Sequence, residues 1–434
     1  MSVTDLLPLI ITFIGAFFLI KLRFFFIAHP IKVIKKIGQT VKDKPSRKSL
    51  ALALAGTLGV GNIVGVAYGI SVGGAGSLFW IFISGFFASV IKYAESSLAA
   101  DMLVRGRGGM MYVISSSFKK CGKFFGTLYA FLCLLLSFSM GAALQSRSAV
   151  SAGMRLIKVS PVILSLAFAI LCAAVVFGGA KKIENAASVI IPLSTIIYII
   201  ICVSVLVKNI GNMPSVISRV ISDAFDFKSA VGGVSGFCIS KSLKEGYSRG
   251  LLSNEAGAGT SAMAQTRARN LTPSDVGLLG AVEVFFDTSL LCILTGLAVL
   301  SSAGCASLDA DGMEIVLSAV RSSVGRGGEL AVILLVFAFA YSTVICWYYY
   351  GCECVEYLLG DRGGVVFCAA FILISFAGFQ IPESAVIGLT DVILFLMSLL
   401  TVSALIKNSE RIVTLSEENG LLKKSDRRKK RMSR

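Results

Sequence analysis

Apolar residues run in uninterrupted stretches of about twenty along most of the chain, the length that crosses roughly 30 Å of hydrocarbon at about 1.5 Å per helical residue. They fall near residues 4–20, 49–72, 77–100, 125–145, 161–178, 187–207, 232–265, 277–303, 328–350, 363–380 and 383–406. Backbone in lipid must satisfy its own hydrogen bonds, so such runs are helices or barrel strands, and these are too long and too uniformly apolar for strands. The pattern predicts an all-α integral membrane protein with about eleven transmembrane helices.

Two of the spans are interrupted. The second carries Gly56-Thr57-Leu58-Gly59-Val60-Gly61-Asn62, and the seventh carries Ser253-Asn254-Glu255-Ala256-Gly257-Ala258-Gly259-Thr260-Ser261. Glycine inside a helix costs up to about 1 kcal/mol relative to alanine, so these clusters invite the helix to open. Open backbone at membrane depth is tolerated only against protein or a wet cavity. There, unpaired N–H groups meet an anion and freed carbonyls meet a small cation, which makes a substrate site without a charged side chain. For either span alone, close helix packing is the simpler reading, since Gly61 and Gly65 also satisfy GxxxG.

The two interrupted spans stand in corresponding positions. With the first span set aside, each opens a set of five helices, and an odd number per set turns the second upside down relative to the first. That 5+5 inverted repeat is a layout for alternating access. The chain divides accordingly into an N-terminal transmembrane helix with a basic loop (1–48), a first five-helix repeat (49–207), a second, inverted one (208–406) and a basic tail (407–434).

Composition agrees: of 434 residues 55% are hydrophobic and only 15% charged, with a mean hydropathy of +0.82. The net charge of +16 raises the question of nucleic-acid binding, and the placement of the basic residues answers it. With the N-terminus outside, about 29 Lys and Arg lie on the inner side and about 8 on the outer, the asymmetry that sets membrane topology. Lys32, Lys35, Lys36, Lys42, Lys44, Arg47 and Lys48, with Lys423 to Arg431 in the tail, therefore read as topology signals with some attraction to anionic lipid. No nucleic acid is expected, and no protein partner is predicted. The first span has neither a basic leader nor a small-residue cleavage site and is expected to be retained.

Enzyme chemistry finds little support. His29 is the only histidine, which excludes a histidine triad and an HExxH zinc site. The 11 cysteines lie mostly in apolar spans without CxxC pairing, so they read as small core residues; Cys352 and Cys354 are one residue apart near a helix end. Charges inside the spans are few. Lys92 and Glu95, and Glu283 and Asp287, fall at helical spacings, and Asp391 interrupts the last span. A charge at the bilayer centre costs on the order of 3 kcal/mol, so each should face the bundle interior, either as a structural ion pair or in the service of transport.

Several segments resemble one known family in order along the chain. Gly56-Thr57-Leu58-Gly59-Val60-Gly61-Asn62-Ile63-Val64-Gly65-Val66-Ala67, Gly73-Gly74-Ala75-Gly76, Phe79-Trp80, Lys92-Tyr93-Ala94-Glu95, Gly178-Gly179-Ala180-Lys181-Lys182-Ile183 with Pro192, Arg249 through Gly259, Glu283 through Thr288, Trp347-Tyr348-Tyr349-Tyr350-Gly351 and Glu356-Tyr357-Leu358 are similar to the alanine or glycine:cation symporter family, the bacterial sodium:alanine symporters. The resemblance implies a leucine-transporter-like fold in a bacterial plasma membrane, with sodium driving uptake of a small neutral amino acid. It places the substrate carboxylate at Thr57, Gly59 and Gly61, with Gln145 and Trp347 beside it. Gln145 can donate to a carboxylate or accept from an ammonium, and Trp347 can cap a small cavity.

For sodium, the fold's general layout implies Thr57, Ser342 and Thr343, whose hydroxyls suit a hard cation. Such hydroxyls also bond back to their own helix, which is the competing reading. Asn254 either reaches the substrate or satisfies freed backbone, and Glu255 either does the same or latches the broken helix, the role favoured here. Asp287 is a gating residue or, with Glu283, a proton carrier in the alternative of proton-coupled transport or exchange. A sensor or channel that binds the amino acid without concentrating it is the third possibility. The chain departs from the family pattern at Ala75, Ala142, Arg147, Cys352 and Glu353, several of them beside the proposed cavity.

Overall fold

The computed structural model describes residues 7–225, 241–268, 270–302 and 311–423. Residues 4–6, 232–240 and 303 of the expected spans and the basic tail from Lys424 lie outside them. Among the described residues every regular element is helical, apart from an isolated bridge between Val104 and Arg107. The principal helices are α1 (Leu7–Lys21), α2 (Pro30–Thr40), α3 (Lys44–Thr57), α4 (Val64–Gly73), α5 (Ser77–Asp101), α6 (Gly122–Leu156), α7 (Pro161–Val176), α8 (Gly179–Lys208), α9 (Lys241–Asn254), α10 (Ala262–Gln265), α11 (Pro273–Ser301), α12 (Arg326–Leu359), α13 (Gly364–Ala377) and α14 (Glu383–Lys407). Six of these, α5, α6, α8, α11, α12 and α14, are long and apolar enough to cross a membrane, and α1, α4, α7 and α13 are shorter apolar helices.

Large apolar side chains left exposed gather on the outer helices. Ile163 and Ile170 on α7, Leu193, Ile196 and Ile200 on α8, and Val365, Val366 and Leu373 on α13 point away from the bundle. On a soluble protein so broad an apolar surface invites aggregation; on a membrane protein it is the lipid-facing belt.

Inside, two helices are broken where the glycine clusters foretold. Helix α3 starts on Asp43, whose carboxylate accepts from the Ser46 amide at 3.1 Å and hydroxyl at 2.6 Å. These donors hold the Asp43 carboxyl below its ordinary range. The helix ends at Thr57; a short 3₁₀ turn over Val60–Asn62 follows before α4. The second break separates α9 from the one-turn α10. Glu255, Gly257 and Gly259 there all take left-handed backbone, at φ 54°, 89° and 72°. Glycine adopts that region freely and glutamate does so only when held, which makes Glu255 a constrained position.

The freed backbone of the second break is satisfied from neighbouring helices. Glu95 accepts the Gly257 amide at 2.7 Å, Asn254 accepts the Ala256 amide at 3.0 Å, and the Ala258 carbonyl accepts from the Tyr129 hydroxyl at 2.6 Å. Helices α6 and α11 each contain a π-helical stretch, Ser137–Leu144 and Phe285–Cys292. The first leads directly into Gln145 and the second contains Asp287. Such extra-wide turns re-aim side chains and recur at functional sites.

Candidate functional site

The first break faces α12 and α6. A β-carbon placed on Gly59 would lie 3.2 Å from the Thr343 hydroxyl and 3.5 Å from Gln145 Oε1, so the open backbone meets both side chains. Beside Gly61 and Gly65 there is room: a β-carbon on either would meet nothing within 4 Å. Trp347 is fully buried, stacks edge-to-face on Tyr350 at 5.4 Å and lies against Gly141, where any side chain would collide with it.

Three buried polar atoms here have no hydrogen-bond partner: Gln145 Oε1, Trp347 Nε1 and the Tyr350 hydroxyl. Unsatisfied polar atoms in an interior cost about 1–3 kcal/mol each, and Gln145 Oε1 lies beside the open backbone at Gly59, where a polar ligand could satisfy it.

Not every expected residue turns toward that place. The Thr343 hydroxyl donates to the Phe339 carbonyl at 2.9 Å and also lies 3.3 Å from the Leu58 carbonyl in the break. Ser342, its neighbour, bonds back to Phe339 at 2.9 Å, and Thr57 lies 3.5 Å from the Ala53 carbonyl, so both satisfy their own helix. Asn254 donates to Thr288 at 3.1 Å and accepts the Ala256 amide. Glu255 is buried and accepts from Thr260 across the break.

Asp287 is the meeting point of the two breaks. Its carboxylate accepts from Asn62 Nδ2 at 2.7 Å on the first break, from Ser253 at 2.9 Å at the end of α9 beside the second, and from Thr288 at 2.7 Å. Asn62 also accepts the Gly59 amide at 3.0 Å, so a continuous path runs from open backbone to carboxylate. Asn62 and Ser253 stood in the glycine-rich motifs without being singled out. The signal that finds them is a small polar side chain within a turn of each glycine cluster.

The buried charges pair differently from their spacing along the helices. Lys92 lies 3.4 Å from Glu283 on α11, not against Glu95 on its own helix, and donates to Ser261 at 2.7 Å. Gln265 bonds both Glu283 and Ser96. Glu283 and Asp287, four residues apart, therefore serve separate networks, because the π-helical stretch begins between them. Removing one partner of a buried pair strands the other, at about 3–5 kcal/mol. Glu283→Gln is accordingly expected to lower the melting temperature of the purified protein in detergent by several degrees. An unchanged melting temperature would show that Lys92 does not depend on that carboxylate.

Where α5 ends and α8 begins, a cavity of about 390 Å³ opens, lined among others by Arg107, Met263, Arg267, Tyr349, Cys352 and Glu353. Arg107 bridges Glu353 at 3.2 Å and Glu356 at 2.5 Å. At the opposite end of α6, Arg147 holds the start of α14 by a contact to Glu383 at 3.1 Å and to the Phe379 carbonyl at 2.9 Å. Arg147, unexpected in the sequence, thus points away from the break and ties α6 to the α13–α14 turn.

Comparison with known proteins decides what kind of molecule this is. A family model described as the sodium:alanine symporter family matches residues 1–432. The chain belongs to that family. Members are membrane transporters of the cation-coupled amino-acid class and not enzymes. Among its relatives is the sodium/alanine symporter AgcS of Methanococcus maripaludis, 35% identical over 342 residues that cover 76% of this chain and 74% of that one. A putative sodium/proton-dependent alanine carrier, YrbD of Bacillus subtilis, is 32% identical over 80% of this chain and 75% of its own. The probable sodium/glutamine symporter GlnT of the same organism is 28% identical over 80% and 73%. In fold, the family member resembles a Na⁺-coupled sialic acid symporter solved in a substrate-bound outward-open state, with a TM-score of 0.54 and 10% identity over 96% of this chain and 86% of that one.

Proposed function

We propose that the protein is a sodium-coupled symporter that brings a small neutral amino acid, alanine or glycine, into the cell by alternating access. The observation that carries this reading is the open backbone at Gly59 and Gly61, with the Thr343 hydroxyl and the unpartnered Gln145 Oε1 beside Gly59. A zwitterion suits such a place: freed amides meet its carboxylate, Gln145 Oε1 its ammonium, and Trp347 limits the side chain beside it.

Sodium finds oxygen ligands next to it. The Leu58 carbonyl and the Thr343 hydroxyl face each other across 3.3 Å, and a hard cation between them would tie α12 to the broken helix. Asp287 would then transmit the state of one break to the other through Asn62 and Ser253. A tenfold sodium gradient and a 100 mV potential together supply about 3.7 kcal/mol per ion, enough to concentrate a neutral substrate several hundredfold.

The same reading places residues 49–207 and 208–406 as inverted repeats, each opening on a broken helix, within about eleven spans. It sets the N-terminus outside and the C-terminus in the cytoplasm of a bacterial cell, so the 390 Å³ cavity opens inward. Binding of labelled L-alanine to the purified protein should be greater in sodium than in potassium. Equal binding in both salts would separate the substrate from the ion.

The ion position makes a sharper claim. Thr343→Ala is expected to raise the sodium concentration for half-maximal uptake about tenfold, the loss of roughly 1.4 kcal/mol of ligation, whereas Ser342→Ala should change it far less. Equal effects at the two positions, read from sodium titrations of uptake, would remove Thr343 from its special place.

A further inference from the structure

The cavity at the inner end is more than a passage. One wall carries Glu353 and Glu356, two carboxylates that share the single guanidinium of Arg107. The other carries Arg267, which follows α10, lies over the Tyr349 ring at 5.5 Å and stands 3.6 Å from Glu184. Opposite charges thus face one space whose 390 Å³ is typical of small-molecule sites.

We propose that this cavity is a second binding site for the zwitterionic amino acid, with the α-carboxylate on Arg267 and the ammonium on Glu353. The inference rests on the transport reading above and adds to it a release site. A planar guanidinium receives a carboxylate in two parallel bonds, and a carboxylate receives an ammonium in a charge-assisted one. Tyr349, two residues beyond Trp347, donates to the Met263 carbonyl at 3.2 Å, and both residues line the cavity. Cys352 and Glu353 line it too.

Cys352 supplies the readout, being a free, half-buried thiol in the wall. The rate at which a small methanethiosulfonate labels it is measured by mass spectrometry of the Cys352 peptide, on purified protein in nanodiscs at constant sodium. The measurement is made in wild type and in Gly61→Leu, whose first site is blocked, and repeated in Gln145→Ala. With L-alanine at about twice its dissociation constant, mass action should slow labelling about threefold in the blocked variants as well. Isobutyrate, which lacks the ammonium, and isopropylamine, which lacks the carboxylate, should not protect. Glu353→Gln and Arg267→Gln should each abolish the protection.

Protection in wild type but in neither blocked variant would overturn the second site, since it would then report a change of shape driven from the first. Protection that survives both Glu353→Gln and Arg267→Gln would overturn it equally. Neither result touches the transport reading, which stands or falls on sodium-driven uptake by the unaltered protein.

Discussion

Gly61→Leu is expected to abolish amino-acid uptake while leaving folded protein in the membrane. The two halves of that statement come from different features. A β-carbon at Gly61 meets nothing within 4 Å, so the start of a new side chain finds room there. The same open space lies one turn from the backbone groups that would receive the carboxylate, and a leucine there fills it. The fold should therefore survive, with size-exclusion behaviour and melting temperature near those of the wild type, while labelled alanine no longer accumulates. Gly59→Ala should act more mildly on folding than its crowded surroundings suggest, because the atom 3.2 Å away is a hydroxyl that can turn aside. Normal uptake by Gly61→Leu would remove the first break from the substrate site altogether.

The second large effect is expected at Asp287. Replacement by alanine takes away the acceptor shared by Asn62, Ser253 and Thr288, and each donor left without a partner in the interior costs about 1–3 kcal/mol. Uptake should be lost and the melting temperature should fall. Asp287→Asn retains the shape and one acceptor oxygen, so it should fold better than the alanine variant yet remain impaired in transport, because the amide nitrogen faces donors. If transport in Asp287→Asn proved indistinguishable from wild type, the carboxylate would be no more than packing.

Much of this was legible in the chain itself, for physical reasons that differ from feature to feature. The spans were readable because hydrocarbon admits so few backbone solutions that a twenty-residue apolar run is nearly a structural statement. Residues 77–100 and 383–406 were expected as helices and are found as Ser77–Asp101 and Glu383–Lys407. The breaks were readable because glycine clusters are costly inside helices and have to be there for a purpose. The ends of α6 and α12 were not, since both helices continue well past their apolar runs as polar residues face neighbours instead of lipid.

Side-chain direction was the harder part. Ser342 and Thr343 are adjacent hydroxyls of the same kind, and sequence offers no reason to choose between them; both bond back to Phe339, and a rotation of one residue on α12 brings Thr343 alone within 3.3 Å of Leu58. Lys92 was readable as a buried charge in need of a partner, yet the partner lies 191 residues away on another helix and not three residues along its own. Asn62 was hidden for a similar reason. It reads as the last member of a glycine motif, and only the approach of α11 shows that its amide joins the open backbone to Asp287.

One measurement bears on the central claim more directly than any variant. Purified protein is placed in liposomes, and uptake of labelled L-alanine and glycine is followed with an inward sodium gradient, an equal potassium gradient, and a proton gradient without sodium, each at the same membrane potential. Sodium-coupled symport predicts that substrate accumulates above its outside concentration with sodium and with neither of the others. Accumulation driven by protons alone would contradict the coupling proposed here, and equilibration without accumulation under every gradient would contradict symport itself.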